Sequence, residues 1–144
     1  TQIISLSYFF SMELHIKAVE ACEIPNMDVG GKSDPYLKFT ISTSSQEWKT
    51  KKVMNTKTPI WNEEFHIPIT SAMTDVLTIQ IYDWDKGSKD DLISSRQFTV
   101  RDFKVGQVVD QWYQFTPVKS AKAGGKVRLV FHLDKSGATP FASK

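Results

Sequence analysis

The stretch LTIQIYDWD, residues 77–85, sets the expectation for the whole fold. Apolar and polar residues alternate from Leu77 to Ile81, and a period of two is typical of a half-buried β-strand. The apolar parity continues onto Asp83 and Asp85, so the stretch predicts a strand that ends in two core-facing carboxylates. These would repel each other and lose solvation unless the strand ends there or a cation lies between them.

Short stretches with the same alternation recur along the chain, separated by turn-rich segments. They predict an all-β protein with about eight strands, enough for two packed antiparallel sheets. A short helical turn is expected near residues 100–105. The clearest strands carry inward residues at Leu14, Ile16 and Ala18, at Leu37, Phe39 and Ile41, at Phe65, Ile67 and Ile69, and at Val127, Leu129, Phe131 and Leu133; further strands are expected near 48–53, 95–100 and 112–116.

The composition fits one domain that folds without covalent cross-links. The chain has 144 residues, of which 40% are hydrophobic, so it can bury a real core. Cys22 is the one cysteine, which excludes an internal disulfide and suits a reducing compartment. Residues 1–11 are expected to be an N-terminal extension or a cloning remnant, and residues 135–144 a C-terminal tail.

Aspartates are concentrated in the turn-rich loops, where a rigid sandwich usually carries its function. Asp28 and Asp34 lie in one glycine-containing loop, and Asp90 and Asp91 follow the strand at 77–85. Several carboxylate oxygens on flexible loops suit calcium, which takes about six to eight oxygen ligands, whereas zinc or copper would favour histidine or thiolate. Taken singly, each aspartate is better explained as a turn former.

Five motifs resemble those of a known family, the C2 domains, in particular the C2 domains of conventional protein kinase C and synaptotagmin. The resemblance covers nearly all of residues 12–134. It implies an eight-stranded antiparallel Greek-key β-sandwich with type II, protein kinase C-like topology, and a module that binds phospholipid. The motifs are ACEIP at 21–25, GKSDPYLK at 31–38, PIWNEEF at 59–65, YDWDKGSKDD at 82–91 and GKVRLVFH at 125–132.

The same resemblance implies a calcium site for two or three ions. The calcium ligands of the family fall on two loops of this chain, and all five carboxylate positions are aspartate. Asp90 is expected to be a solvated neighbour of these ligands. The implied ligands are the side chains of Asp28, Asp34, Asp83, Asp85 and Asp91, the backbone carbonyls of Met27, Trp84 and Lys89, and Ser88 as an extra ligand.

The resemblance further implies a groove for lipid headgroups on the concave face. Its positions fall on Tyr36, Lys38, Lys49, Lys51 and Trp61, and the match to protein kinase C suggests phosphoinositides. An alternative stays open, in which the two aromatic residues belong to the core and the lysines form a solvated strand face.

The loop tips are expected to contact the membrane mainly through charge. Val29 offers one apolar side chain, whose burial would contribute about 1.5 kcal/mol. Lys86 and Lys89 favour anionic headgroups, each by about 1 kcal/mol near the surface. The expected insertion into the bilayer is therefore shallow.

The charge distribution excludes some classes of partner and activity. The net charge is +2, and removing the negative charges of the five candidate calcium ligands leaves +7 for the rest of the chain. A basic body with an acidic tip does not suit nucleic acid, so no nucleic-acid partner is expected. No nucleophile–base pair lies near the aspartates, so the protein is not expected to be an enzyme.

Several other residues are expected to be structural. His15, His66 and His132 fall at outward parity on different strands, and we expect them to be solvated and not to form a metal site. Trp112 and Tyr113 are expected in the core.

The sequence thus predicts a calcium-dependent peripheral membrane module. It would be a cytoplasmic monomer that is recruited to the inner face of the plasma membrane, or to other membranes, when calcium rises. Its expected partners are phosphatidylserine and phosphoinositides. Two alternatives remain: a calcium-independent scaffold for a protein partner, and a metal-dependent hydrolase.

Overall fold

The computed structural model describes residues 11–27 and 31–142. These residues form nine β-strands and one short 3₁₀ helix at Val100–Asp102, where the sequence predicts a helical turn. The strands are β1 (Met12–Cys22), β2 (Pro35–Ile41), β3 (Glu47–Lys49), β4 (Ile60–Ile69), β5 (Val76–Asp83), β6 (Asp91–Thr99), β7 (Val108–Gln114), β8 (Thr116–Pro117) and β9 (Lys126–Lys135).

The strands form two sheets that pack face to face. One sheet has the order β4-β1-β9-β7 and the other the order β3-β2-β5-β6-β8, and every pairing is antiparallel. The predicted all-β sandwich is therefore confirmed. The additional ninth strand, β8, has two residues and joins the second sheet one residue after β7 ends in the first. Strand β1 lies between β4 and β9, an arrangement compatible with type II topology.

The core consists of the side chains that the alternating pattern directs inward. Ile16, Phe39, Ile79 and Phe131 are fully buried, and they come from both sheets. Burial of such side chains is the main favourable term in folding, at about 1.5–3 kcal/mol each.

Trp112 departs from the expectation that it lies in the core. Its side chain is 47% exposed on β7, and its register partner on β9 is Arg128. The neighbouring Tyr113 does pack against the core, because adjacent strand residues point to opposite faces. The prediction is therefore wrong for Trp112.

The end of β5 and the starts of β2 and β6 lie together at one end of the second sheet, and they position the candidate site. Asp83, at the end of β5, pairs with Pro35 at the start of β2 and with Asp91 at the start of β6. The β5–β6 register shifts between Ile81 and Tyr82, which marks a β-bulge close to this end. Bulges are common next to functional sites because they redirect the strand and its side chains.

The outer face of the first sheet carries a histidine row, formed by His66 on β4, His15 on β1 and His132 on β9. Strand register places His15 directly opposite both partners. The Nδ1 atoms of His15 and His66 lie 2.6 Å apart, within hydrogen-bond reach of each other. His15 and His132 are buried whereas His66 is exposed, so the expectation of a solvated side chain is wrong for the first two and correct for His66.

Residues 136–142 explain the burial of this row. After β9 the chain turns back, and the backbone N–H of Phe141 donates to Nδ1 of His132 over 2.9 Å. The Phe141 ring lies 6.2 Å from the ring of His15 and 6.3 Å from that of His132, measured between centroids. This part of the predicted tail therefore packs against the domain and shields His15 and His132 from solvent.

Candidate functional site

Residues from two loops meet where β2, β5 and β6 end or begin. We call Asp34, Asp83, Asp85 and Asp91 the aspartate rim. The backbone N–H of Asp34 donates to Oδ1 of Asp83 over 2.8 Å, and the backbone N–H of Trp84 donates to the Asp34 carbonyl over 3.1 Å. The first loop is thereby joined directly to the end of β5.

Of the predicted first-loop ligands, Asp34 and Met27 belong to the described residues. Met27 packs against the core, which anchors the loop on its N-terminal side. The predicted ligand Asp28 and the predicted membrane contact Val29 lie outside the described residues.

The loop between β5 and β6 is organised by its own aspartates. Oδ1 of Asp85 accepts a hydrogen bond from the backbone N–H of Gly87 over 3.1 Å. This N–H, followed by the Ser88 hydroxyl, lowers the pKa of Asp85 below its ordinary value, so the carboxylate is charged at neutral pH. Lys86 and Lys89 are exposed in the same loop.

The donor set of the rim fits a hard cation in its chemistry. Its four side chains are all carboxylates, and the carbonyls of Trp84 and Lys89 lie in the same loop. Among the described residues, however, no three acidic, histidine or cysteine side chains converge on one point that could hold a metal. The hydrogen bonds explain this, since backbone N–H groups engage Asp34, Asp83 and Asp85 separately.

A groove of about 620 Å³ adjoins the rim on the second sheet. Lys49 and Lys51, both predicted from the sequence, line it together with Lys52, which the sequence analysis missed. The Lys52 ammonium lies 4.1 Å from the centroid of the Trp84 ring, a cation–π contact that links the groove to the rim. The complete lining is Tyr36, Lys49, Thr50, Lys51, Lys52, Met54, Trp84 and Asp90.

Tyr36 and Lys38 lie side by side with another residue that the sequence analysis missed, Tyr82. The rings of Tyr36 and Tyr82 stack with centroids 5.6 Å apart, and the Lys38 ammonium lies 4.7 Å from the Tyr82 centroid. Lys38 also forms an ion pair of 3.2 Å with Glu47. Its charge is therefore already matched in part, in contrast to Lys51 and Lys52, which form no ion pair with any described residue.

Trp61 does not belong to this groove. It lies on β4, in the opposite sheet, and its side chain is buried in the core. Its indole Nε1–H donates to the carbonyl of Pro35 over 3.4 Å. The structure thus corrects the assignment of Trp61 and supports the alternative for this residue, a core aromatic.

Asp90 is more than a solvated neighbour. It is half-buried, its Oδ2 accepts the hydroxyl hydrogen of Tyr36, and its Oδ1 accepts the backbone N–H of Asp85 over 3.0 Å. Burial, together with this hydrogen bond, raises the pKa of the Tyr36 hydroxyl, so Tyr36 remains the neutral donor. Asp90 therefore connects the groove to the loop that carries the rim.

Comparison with known proteins places these features in context. A family described as "C2 domain" matches residues 12–115. Synaptotagmin-1 of Aplysia californica is 34% identical over 112 residues, which are 75% of this chain and 26% of that relative. The human synaptotagmin-1 is 32% identical over the same length. The chain thus spans about a quarter of the length of the curated relatives it matches.

Solved structures show the same fold. The first C2 domain of plant extended synaptotagmin 1 superposes with a TM-score of 0.78 at 22% identity, covering 85% of this chain and 94% of that one. The paired C2 domains of extended synaptotagmin 2, solved with calcium bound, give a TM-score of 0.74 at 24% identity, covering 86% and 46%. No helix in the described part of this chain is long and apolar enough to cross a membrane.

Proposed function

Because the chain belongs to the C2 domain family, we propose that it is a calcium-dependent module that docks reversibly on anionic phospholipid membranes. The observation that carries the proposal is the meeting of Asp34 with Asp83, and of Asp83 with Asp91, at one edge of the sandwich. Carboxylates from separate loops lie at this edge, and their ligand atoms are all oxygens. Oxygen ligands are the ones that calcium prefers.

The charges of these residues would make membrane binding depend on calcium. Asp28 and the aspartate rim supply five negative charges, which repel both one another and an anionic membrane. Two calcium ions would bring four positive charges, so that one negative charge remains on the tip. Bound calcium supplies coordination positions that a lipid phosphate or the serine carboxylate of phosphatidylserine can fill. The carbonyls of Met27, Trp84 and Lys89, with Ser88, complete the proposed ligand set.

The basic groove supports a second contact with the bilayer. Lys49, Lys51 and Lys52 line a concave surface of the size of a headgroup, and aromatic rings flank it. Phosphate-bearing headgroups, including phosphoinositides, suit this combination of charge and shape. Lys86 and Lys89, exposed in the adjoining loop, add attraction to the anionic surface that salt would weaken.

On this proposal the protein acts by moving to a membrane and not by catalysing a reaction. It is a monomer that leaves the cytoplasm for the inner face of the plasma membrane, or for other anionic membranes, when calcium rises. A structural neighbour, the two-domain C2 fragment of extended synaptotagmin 2, is itself known with calcium bound.

Asp85→Asn tests the proposal, because Asp85 lies in the loop between β5 and β6, outside the core, and the substitution should leave the core intact. We expect the wild-type protein to co-sediment with phosphatidylserine vesicles in calcium and to stay in solution in chelator. Asp85→Asn should lose this calcium-dependent pelleting. Asp102→Asn, which removes an equal charge from the exposed 3₁₀ helix, should pellet as the wild type does. Equal pelleting of the wild type in calcium and in chelator would refute the dependence on calcium.

One observation favours a second candidate, a calcium-independent scaffold for a protein partner. The carboxylates of Asp34, Asp83 and Asp85 each accept a backbone N–H, so a purely structural role would also account for them. Titration calorimetry with calcium separates the two functions, because a scaffold of this kind would give no binding heat. A saturable heat of calcium binding that is lost in Asp85→Asn would rule out the calcium-independent scaffold.

A further inference from the structure

Asp90 is an acidic residue in the wall of an otherwise basic groove. The same groove is lined by Lys49, Lys51 and Lys52. An acid among lysines usually forms an ion pair, yet no described lysine lies within ion-pair distance of Asp90. Its two oxygens are instead engaged by the Tyr36 hydroxyl and the backbone N–H of Asp85.

These two hydrogen bonds fix the position of the charge. Tyr36 is itself held by stacking on Tyr82, and Asp85 belongs to the loop that Asp90 helps to close. Asp90 therefore cannot turn away from the groove without losing both bonds, and the loss of a bond to a charged acceptor in a partly buried place is costly. An anionic group that enters the groove meets a fixed like charge.

We infer that Asp90 weakens the affinity of the groove for phosphate-bearing headgroups, so that the groove alone does not hold the protein on a membrane. This inference rests on the proposed function for its setting, since it concerns the same groove. The charge of Asp90 reduces the attraction between the three lysines and an anionic headgroup. The charge of the rim must be neutralised before the rim and the groove can bind a membrane together.

The position of Asp90 beside the rim explains why its effect should depend on calcium. Asp90 precedes the rim residue Asp91 in the chain and accepts the N–H of the rim residue Asp85. Positive charge held by the rim would therefore offset the field of Asp90 in the groove. Asp90 accordingly couples the groove to the rim: it opposes a headgroup most strongly when the rim is fully negative.

The test measures binding in chelator, where the rim holds no calcium and Asp90 should oppose a headgroup most strongly. The probes are vesicles of phosphatidylcholine and phosphatidylinositol bisphosphate, with soluble inositol trisphosphate as a second arm that separates a membrane-held phosphate from a free one. We expect Asp90→Asn to bind the vesicles roughly threefold to tenfold more tightly than the wild type, as befits the loss of one nearby like charge. Asparagine keeps an oxygen for the Asp85 N–H, so the loop is retained.

Two variants separate charge from geometry. Asp102→Asn removes an equal charge outside the groove and should leave the affinity unchanged. Asp90→Glu changes the side chain but keeps its negative charge, and it should give no gain. An Asp90→Asn protein with wild-type affinity in chelator, or an equal gain in Asp102→Asn, would overturn the inference.

The failure of this inference can be told apart from that of the proposed function. If wild-type protein ignores calcium on phosphatidylserine vesicles, the proposed function fails whatever Asp90 does in chelator. If wild-type protein responds to calcium but Asp90→Asn shows no gain in chelator, the inference alone fails. Should Asp90→Asn not fold by circular dichroism, Asp90→Ser removes the same charge with a smaller side chain that retains a hydroxyl acceptor.

Discussion

The aspartate rim and the histidine row bring titratable side chains together by the same device, the pairing of neighbouring antiparallel strands. Asp83 faces Asp91 across β5 and β6, and His15 faces His66 and His132 across β4, β1 and β9. The two clusters differ in what completes them. In the histidine row, Phe141 covers His15 and His132, whereas the rim lies at the loop end of the sandwich.

On the proposed function, the difference separates a structural cluster from one that binds a ligand. In the histidine row, His15 and His66 can share a proton, and Nδ1 of His132 accepts the Phe141 N–H while its Nε2 lies 3.1 Å from Asp134. Neutral imidazoles can serve each other as donor and acceptor. Carboxylates are all acceptors and carry the same charge, so they cannot serve one another as donor and acceptor. Changes in the row should therefore alter stability, and changes in the rim should alter binding.

The largest expected effect is on stability, from Phe141→Ala. Removing a half-buried ring that covers His15 and His132 should lower the free energy of unfolding by about 2 kcal/mol, below the range for fully buried phenylalanines. The native φ of Phe141 is 60°, in the left-handed region, so its contacts also offset some backbone strain. Urea denaturation measures the loss, while calcium-dependent pelleting should not change.

Asp85→Asn gives the reverse result and completes the comparison. Its unfolding free energy should stay within about 0.5 kcal/mol of the wild type, because the side chain packs against nothing in the core. A Phe141→Ala protein with wild-type stability, or an Asp85→Asn protein that unfolds readily, would break the distinction between the two clusters.

A smaller effect should appear in the pH dependence of stability. Burial, followed by the neighbouring His66, lowers the pKa of His15 from its ordinary value of 6.5. Below pH 6.5 the unfolded chain therefore takes up a proton that the folded protein resists, and stability falls as the pH falls. The other groups that act on His15 are Glu13 and Asp134, which favour its charged form, and His132, which disfavours it.

His15→Phe provides the check on this prediction. Urea denaturation over a range of about two pH units centred on the ordinary histidine pKa should show a decline toward low pH for the wild type. The decline should be shallower for the variant, which has no proton to take up at this position. Parallel curves for the two proteins would show that the decline arises elsewhere, and the histidine row would lose its role in it.

Periodicity alone predicts much of the fold, and it could have corrected one error. The odd-numbered residues of β4 face the core, as Ile67 and Ile69 show. Trp61 shares their parity, so the pattern already indicated a core position before the family resemblance suggested the groove. Asp83 was predicted correctly to lie on core-facing parity, and it is buried.

Other features depend on which strands are neighbours, which local patterns do not encode. Outward parity was correct for the histidines, but their contact follows from the order β4-β1-β9. Likewise, Tyr82 enters the site because β5 pairs with β2 in a register that places it opposite Tyr36. The bonds of Asp90 follow from the shape of the loop at 84–90, which has no periodicity to predict from.

The smallest expected effect distinguishes Lys52, which lines the groove, from Lys38, which does not. Lys52→Gln should weaken binding to anionic vesicles about fivefold, close to the ~1 kcal/mol of one basic residue near a membrane surface. Lys38→Gln should cost less than about twofold, because Glu47 already matches the charge of Lys38 in an ion pair of 3.2 Å. Lys17→Gln, next to the histidine row on the first sheet, serves as the control for net charge. If Lys17→Gln weakened binding as much as Lys52→Gln does, the attraction would come from the net charge of the whole protein. The groove beside the rim would then contribute no more to binding than the face that carries the histidines.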